Sequence, residues 1–186
     1  MAATTTPLCD FGWKAVDAKL PAVDGRTLSI LELAGPRGLV VAFICNHCPY
    51  VRAVISRIVR DARDLAGVGI GFVAISSNDA LAYPEDSFEN MRRFAAEHTL
   101  PFPYLYDEDQ SVARVYGAAC TPDFFGFNAA GELQYRGRLD ASRKEAVDQG
   151  LRRDLYEAML EVARTGCGPA EQQASIGCSI KWKTPA

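Results

Sequence analysis

The chain has no excess of positive charge, no apolar run of membrane-spanning length and no second paired-cysteine motif, and each absence removes a class of function. Its 20 Lys and Arg stand against 23 Asp and Glu, a formal net charge of -3, so neither nucleic acid nor an anionic membrane is an expected partner. The opening Met1-Ala-Ala-Thr-Thr-Thr-Pro7 shows neither a positive n-region nor an apolar h-region, which leads us to expect a cytoplasmic protein. There is no internal repeat and no low-complexity block. With 186 residues, 48% of them hydrophobic, the chain can bury a full core as a single domain without metal or disulfide staples. We expect that domain to have a core from about residue 10 to 165 and a small-residue, polar tail over 166–186.

What the chain does have is cysteine, six residues in all. In a reducing compartment these are expected to rest as thiols, so any disulfide is transient and catalytic. Two of them form Cys45-Asn46-His47-Cys48, directly after the apolar run Leu39 to Ile44 and directly before a helical pattern that begins at Pro49. Unsatisfied N–H groups and the positive end of the dipole at a helix N-terminus stabilise a thiolate, which is the nucleophile of thiol chemistry. Zinc sites also use C-x-x-C but add a second Cys or His pair at similar spacing. The first thiol of such a motif is the more exposed, so Cys45 is the expected attacking group and Cys48 the resolving one. His47 admits two readings: an imidazolium that favours the Cys45 thiolate and raises the reduction potential, or an exposed polar residue of the turn.

The hydropathy pattern places these residues in a layered α/β fold. Asp24-Gly25 between short apolar stretches predicts a hairpin. Leu39–Ile44 and Ile70–Ile75 are continuous apolar runs of the kind found in strands buried on both faces. Between them Val51, Val54, Ile55, Ile58, Val59, Ala62 and Leu65 recur at helical spacing up to Gly67. Helices are predicted from Ser87 to His98 with Asp86 or Ser87 as cap, and from Ser111 to Tyr116 closed by Gly117. Short strands are predicted at Pro103–Tyr106, Phe124–Asn128 and Glu132–Gly137. A last helix is predicted from about Arg143 to Arg164, with Val147, Leu151, Leu155, Met159 and Val162 on one face.

Several further residues are candidates for the site or its surroundings. Cys120 adjoins Thr121-Pro122 at the start of a predicted strand, and buried cysteine is usually a small hydrophobe. Asp123 reads as a solvated turn carboxylate, and Arg136 and Arg138 as solvated residues on one face of a strand. Cys9 and Cys167 have no partner visible in the sequence. Cys178 lies in a tail that also carries Trp182, an apolar anchor on which the tail could fold back.

Six blocks together resemble one family: Phe43 to Val51, Ser77-Asn78-Asp79, Tyr83 to Asp86, Pro101 to Asp107, Cys120 to Phe125 and Ser175 to Lys183. They are similar to the peroxiredoxin-like branch of the thioredoxin superfamily, grouped with alkyl hydroperoxide reductase and thiol-specific antioxidant proteins, over nearly the whole chain. The resemblance implies an α/β thioredoxin-like three-layer sandwich, here with an N-terminal β-hairpin extension and insertions. It also implies a redox-active dithiol at Cys45 and Cys48 and a cis peptide before Pro122, with the Thr121 backbone facing the dithiol and open to an extended substrate segment. Typical members carry Thr or Ser three residues before the peroxidatic Cys and an Arg near the proline. Here those positions hold Cys45 and Cys120-Thr121-Pro122.

That departure favours dithiol exchange. The expected activity is thiol–disulfide oxidoreduction on a protein or small-molecule disulfide with an external thiol reductant and no cofactor. A thiol peroxidase acting on hydroperoxides is the alternative enzyme. A Cu(I) or Zn(II) binding protein using Cys45, Cys48 and His47 is the alternative of another class. Cys120 and Cys178 are carried as auxiliary thiols.

Overall fold

The computed structural model describes residues 3–144 and 150–184. In chain order it contains β1 (Ala3–Thr5), β2 (Lys19–Pro21), β3 (Thr27–Ser29), β4 (Gly38–Phe43), α1 (Pro49–Gly67), β5 (Ile70–Ser76), α2 (Phe88–Glu97), β6 (Tyr104–Tyr106), α3 (Ser111–Tyr116), β7 (Cys120–Thr121), β8 (Asp123–Asn128), β9 (Leu133–Gly137), α4 (Asp154–Thr165) and β10 (Ile176–Ser179). Among the described residues no helix is long and apolar enough to cross a membrane.

The apolar run of β4 is buried throughout, and its period of two sends alternate side chains into two cores. Val40, Ala42 and Ile44 face one core, packed with Val54 and Ile58 of α1, Met91 and Phe94 of α2 and Met159 of α4. Leu39, Val41 and Phe43 face the other, with Tyr116 of α3 and Phe125 and Phe127 of β8. Helices therefore cover one face of the sheet, while α3 and the β2–β3 hairpin cover the other. Each fully buried side chain of this size contributes about 1.5–3 kcal/mol, so the central strand is tied to both layers. The result is the thioredoxin-like three-layer arrangement.

β4 pairs antiparallel with β8, from Gly38 opposite Asn128 to Phe43 opposite Asp123. β8 pairs in turn with β9. On the other side of β4, Ile44 N–H donates to Ile75 C=O at 3.0 Å, and β5 pairs parallel with β6. The predicted N-terminal hairpin is present as β2 and β3, Lys19 opposite Ser29.

Two sequence expectations change. The last helix starts at Asp154, not near Arg143. Gly150 has φ +125°, a conformation that only glycine adopts readily and that does not continue a helix, and Leu151 lies before the first helical residue. Val147 falls outside the described residues. The tail is not a free appendage either: β10 inserts between β1 and β7, antiparallel to both. Ile180, just beyond it, is buried in the second core.

Candidate active site

β4 delivers the dithiol to one end of the sheet. Beyond Phe43 the chain leaves the strand, turns through Cys45-Asn46-His47 and enters α1 at Pro49. Proline suits the first helical position, since its missing N–H would be unsatisfied there in any case and its φ is already helical. That makes Cys48 the N-cap residue, with φ -65° and ψ 120°.

Asp86 holds the turn in place and is fully buried. Its Oδ1 accepts from the backbone N–H of Asn46 at 2.8 Å and of His47 at 3.3 Å. Its Oδ2 accepts from Asn78 Nδ2 at 2.7 Å and lies 2.7 Å from His47 Nδ1. The Asn46 side chain donates to Glu85 C=O at 3.1 Å and accepts from the Tyr104 hydroxyl at 3.1 Å. His47 stacks on Tyr83 at 5.9 Å. The imidazole is thus directed to Asp86, whose negative charge opposes ionisation of Cys45. Asp86 is the functional residue that the sequence reading passed over, treating it only as a helix cap. Its place in the segment between β5 and α2, which follows the sheet end that carries the dithiol, was the available signal.

The two thiols do not differ in exposure as expected. Both are buried, Cys45 at 1% and Cys48 at 0% exposure, so Cys45 is not the exposed member. The Cys48 sulfur has its pKa lowered to about 5, first by the neighbouring Cys45 thiol, against the cost of burial, then by the Thr121 hydroxyl and the backbone N–H groups of Val51 and Cys178. The Val51 N–H is one of the unpaired donors of the first turn of α1, so the helix end acts on its own N-cap residue. Cys45 is raised well above the ordinary thiol value because it donates to Cys48, is buried and lies near Asp86. These surroundings favour the anion at Cys48 over Cys45.

Thr121 joins both sulfurs. Its Oγ1 lies 3.4 Å from Cys45 Sγ, and Cys48 in its thiol form donates to Thr121 C=O at 3.1 Å. The Thr121–Pro122 peptide is cis. The backbone edge of Thr121 is occupied rather than open: Cys178 of β10 lies opposite it.

The remaining candidates scatter. Cys120 is buried and its thiol donates to Pro122 C=O at 3.5 Å, with burial raising its pKa. Asp123 is fully buried and not a solvated turn residue. Arg136 is committed to it at 3.0 Å and to Gly117 C=O at 2.7 Å. Arg138 pairs with Asp154 at 2.6 Å. Burial raises Cys9 to about 11, and Cys167 is exposed.

For a metal, Cys45, His47 and Asp86 offer ligand atoms within 4.8 Å of one another. They amount to one thiol, one imidazole and one carboxylate, one ligand short of the closed four-ligand set of structural zinc.

Residues 11–136 match the AhpC/TSA family. The chain belongs to the AhpC/TSA family. Its catalysis is accordingly that of a thiol oxidoreductase or peroxidase. Among solved structures, this AhpC/TSA protein is similar to an uncharacterized conserved protein from Geobacillus kaustophilus, with 44% identity, 100% of this chain and 99% of the other covered and a TM-score of 0.93. A hypothetical protein from Sinorhizobium meliloti is 38% identical over 98% of this chain and 100% of its own, with a TM-score of 0.92. The thioredoxin domain of a thiol-disulfide oxidoreductase from Bacteroides vulgatus shares the fold at 13% identity, covering 82% of this chain and 97% of that one, with a TM-score of 0.63. No curated protein matches the chain significantly.

Proposed function

We propose that this protein is a thiol–disulfide oxidoreductase that uses Cys48 as nucleophile and Cys45 as resolving thiol on small-molecule disulfides. Cys48 thiolate attacks the substrate disulfide, a mixed disulfide forms and the first substrate thiolate leaves. Cys45 then gives up its proton and attacks the Cys48 sulfur, expelling the second substrate thiol and closing Cys45–Cys48. An external thiol restores the dithiol. The observation that carries this reading is Thr121 in contact with both sulfurs, its Oγ1 3.4 Å from Cys45 Sγ and its C=O 3.1 Å from Cys48 Sγ, which keeps the resolving thiol beside the atom it must attack. Small substrates are favoured because β10 pairs with the backbone edge that an extended protein segment would use. The expected compartment is the cytoplasm, where a thiol pool supplies the reductant.

Peroxidase chemistry is the second reading, supported by the burial of both sulfurs, which a small peroxide tolerates best. Cys48 would then be oxidised to a sulfenic acid, releasing alcohol or water, and Cys45 would condense with it to release water. Against it, Arg136 is bound to Asp123 and Gly117 and is not offered to a peroxide oxygen. Stopped-flow oxidation of the reduced protein separates the two. We expect a small disulfide to oxidise the dithiol at least tenfold faster than hydrogen peroxide. A peroxide rate constant above about 10⁴ M⁻¹s⁻¹, the lower end of enzyme-like efficiency, with negligible disulfide reduction would transfer the assignment to the peroxidase.

A further inference from the structure

The C-terminal strand is built into the site with more precision than a cover needs. On one side of β10, Ser175 Oγ donates to Pro122 C=O at 2.7 Å, while Thr6 N–H donates to Ser175 C=O and Ser175 N–H to Thr6 Oγ1, each at 3.0 Å. On the other side, Lys181 C=O accepts from Asp79 N–H and from Gln110 Nε2, each at 2.8 Å, and Lys181 N–H donates to Asn78 Oδ1 at 2.9 Å. Between these anchors Gly177 approaches so closely that a Cβ there would stand 2.0 Å from Thr121 C=O. Only glycine allows that approach. It sets Cys178 opposite Thr121, whose C=O accepts from Cys48 at 3.1 Å, and Cys178 shares one buried cluster with Cys45 and Cys48.

Cys48 therefore has a thiol partner on each of two segments, Cys45 on its own turn and Cys178 on the tail. We propose that Cys178 is a third redox thiol of this site, an internal exchange partner that attacks the sulfur of oxidised Cys48 and forms a Cys48–Cys178 disulfide. This rests on the dithiol reading above and adds a resolving group to it.

The exchange balances without another reactant. Once Cys48 carries the substrate half in a mixed disulfide, Cys178 loses its proton to the departing substrate thiolate. A bond forms between the Cys178 and Cys48 sulfurs, and the substrate leaves as a thiol. Two protein thiols are oxidised and one substrate disulfide becomes two thiols. Cys45 can then attack Cys48 and release Cys178 as a thiol, which moves the disulfide inward with no net redox change. Cys178 does not compete for the first attack. Burial, and next the adjacent Cys48 sulfur, hold its pKa up at about 12, so it rests protonated while Cys48 is ionised.

The test is oxidation with one equivalent of oxidised glutathione, followed by acid quench and non-reducing peptide mapping of wild type, Cys45→Ser and the Cys45→Ser, Cys178→Ser double variant. We expect Cys45→Ser to close Cys48–Cys178 within about tenfold of the wild-type rate of ring closure, and the double variant to stop as a glutathione adduct on Cys48. If Cys45→Ser also stops as that adduct while wild type closes Cys45–Cys48, Cys178 has no redox role and the dithiol reading stands. If wild type forms neither an adduct nor a disulfide at Cys48, the dithiol reading itself fails. Should Cys45→Ser not fold, the early time points of wild type decide. A Cys48–Cys178 peptide there supports the exchange, and its absence while Cys45–Cys48 accumulates overturns it.

Discussion

Replacing Cys45 by alanine raises the pH at which the Cys48 thiolate forms, by about 1–2 units, the equivalent of one hydrogen bond to a charged group at about 1.5–3 kcal/mol. The neighbouring Cys45 thiol is the foremost influence bringing Cys48 down to about 5. Cys45→Ala deletes that donor, whereas Cys45→Ser keeps a hydroxyl in its place. The serine variant should therefore shift less than half as far. Thr121, Val51 and Cys178 remain around the sulfur, so neither variant reaches the value of a free thiol, near 8.5.

The readout must be absorbance of the thiolate near 240 nm against pH, not reaction rate. Raising a thiol pKa lowers the ionised fraction at low pH but makes each thiolate more nucleophilic, with a Brønsted slope of about 0.4–0.5. The two effects oppose each other at low pH, whereas at pH 8 both proteins are almost fully ionised and Cys45→Ala should react about 2.5- to 10-fold faster. Between about pH 5 and 6 the loss of ionised fraction dominates, and Cys45→Ala should be the slower protein there. A titration in which Cys45→Ala and wild type coincide would show that Cys45 does not lower the Cys48 pKa, and one in which the step disappears in Cys45→Ala and persists in Cys48→Ser would return the thiolate to Cys45.

The N-cap position of Cys48 was legible in the sequence. Pro49 as the first helical residue already makes Cys48 the N-cap, and only the habit of treating the first thiol as the exposed one pointed to Cys45. The strands β4 and β5 and the helix α1 were legible for a stronger reason. Their burial is written locally, as unbroken apolar runs or as apolar residues at helical spacing. β1, β7 and β10 are different. They span Ala3–Thr5, Cys120–Thr121 and Ile176–Ser179, lengths at which no period can be counted, and they exist only because they pair with one another across the chain. Ile176-Gly-Cys-Ser179 has a glycine where a strand reading wants a side chain, and that glycine is required by the contact with Thr121. The Thr121 edge was thus expected to be open because its occupant could not be recognised as a strand. Asp123 and Arg136 were expected in solvent for a related reason: a buried charge is visible in sequence only when its partner is known, and theirs meet 13 residues apart across the β8–β9 pair.

Asp86→Ala should destabilise the protein by about 3 kcal/mol or more, because a buried donor left unpaired costs about 1–3 kcal/mol and Asp86 serves several. Its loss strands the N–H groups of Asn46 and His47 and the Asn78 amide, and removes the carboxylate facing His47. Asn78 also accepts from Lys181 N–H, so the damage passes from the dithiol turn to the tail that seals it. Asp86→Asn separates the two roles of the carboxylate. An asparagine keeps an oxygen for the Asn46 and His47 N–H groups, and its stability loss should be smaller than that of alanine. It also removes the negative charge that, after the hydrogen bond to Cys48 and burial, raises Cys45. The second thiolate step should therefore move to lower pH in Asp86→Asn while the first moves little. Urea denaturation and the 240 nm titration, run on both variants, check the two halves. Equal stability of Asp86→Ala and wild type would show that Asp86 does not hold the turn. An unmoved second step in a well-folded Asp86→Asn would show that its charge does not reach Cys45.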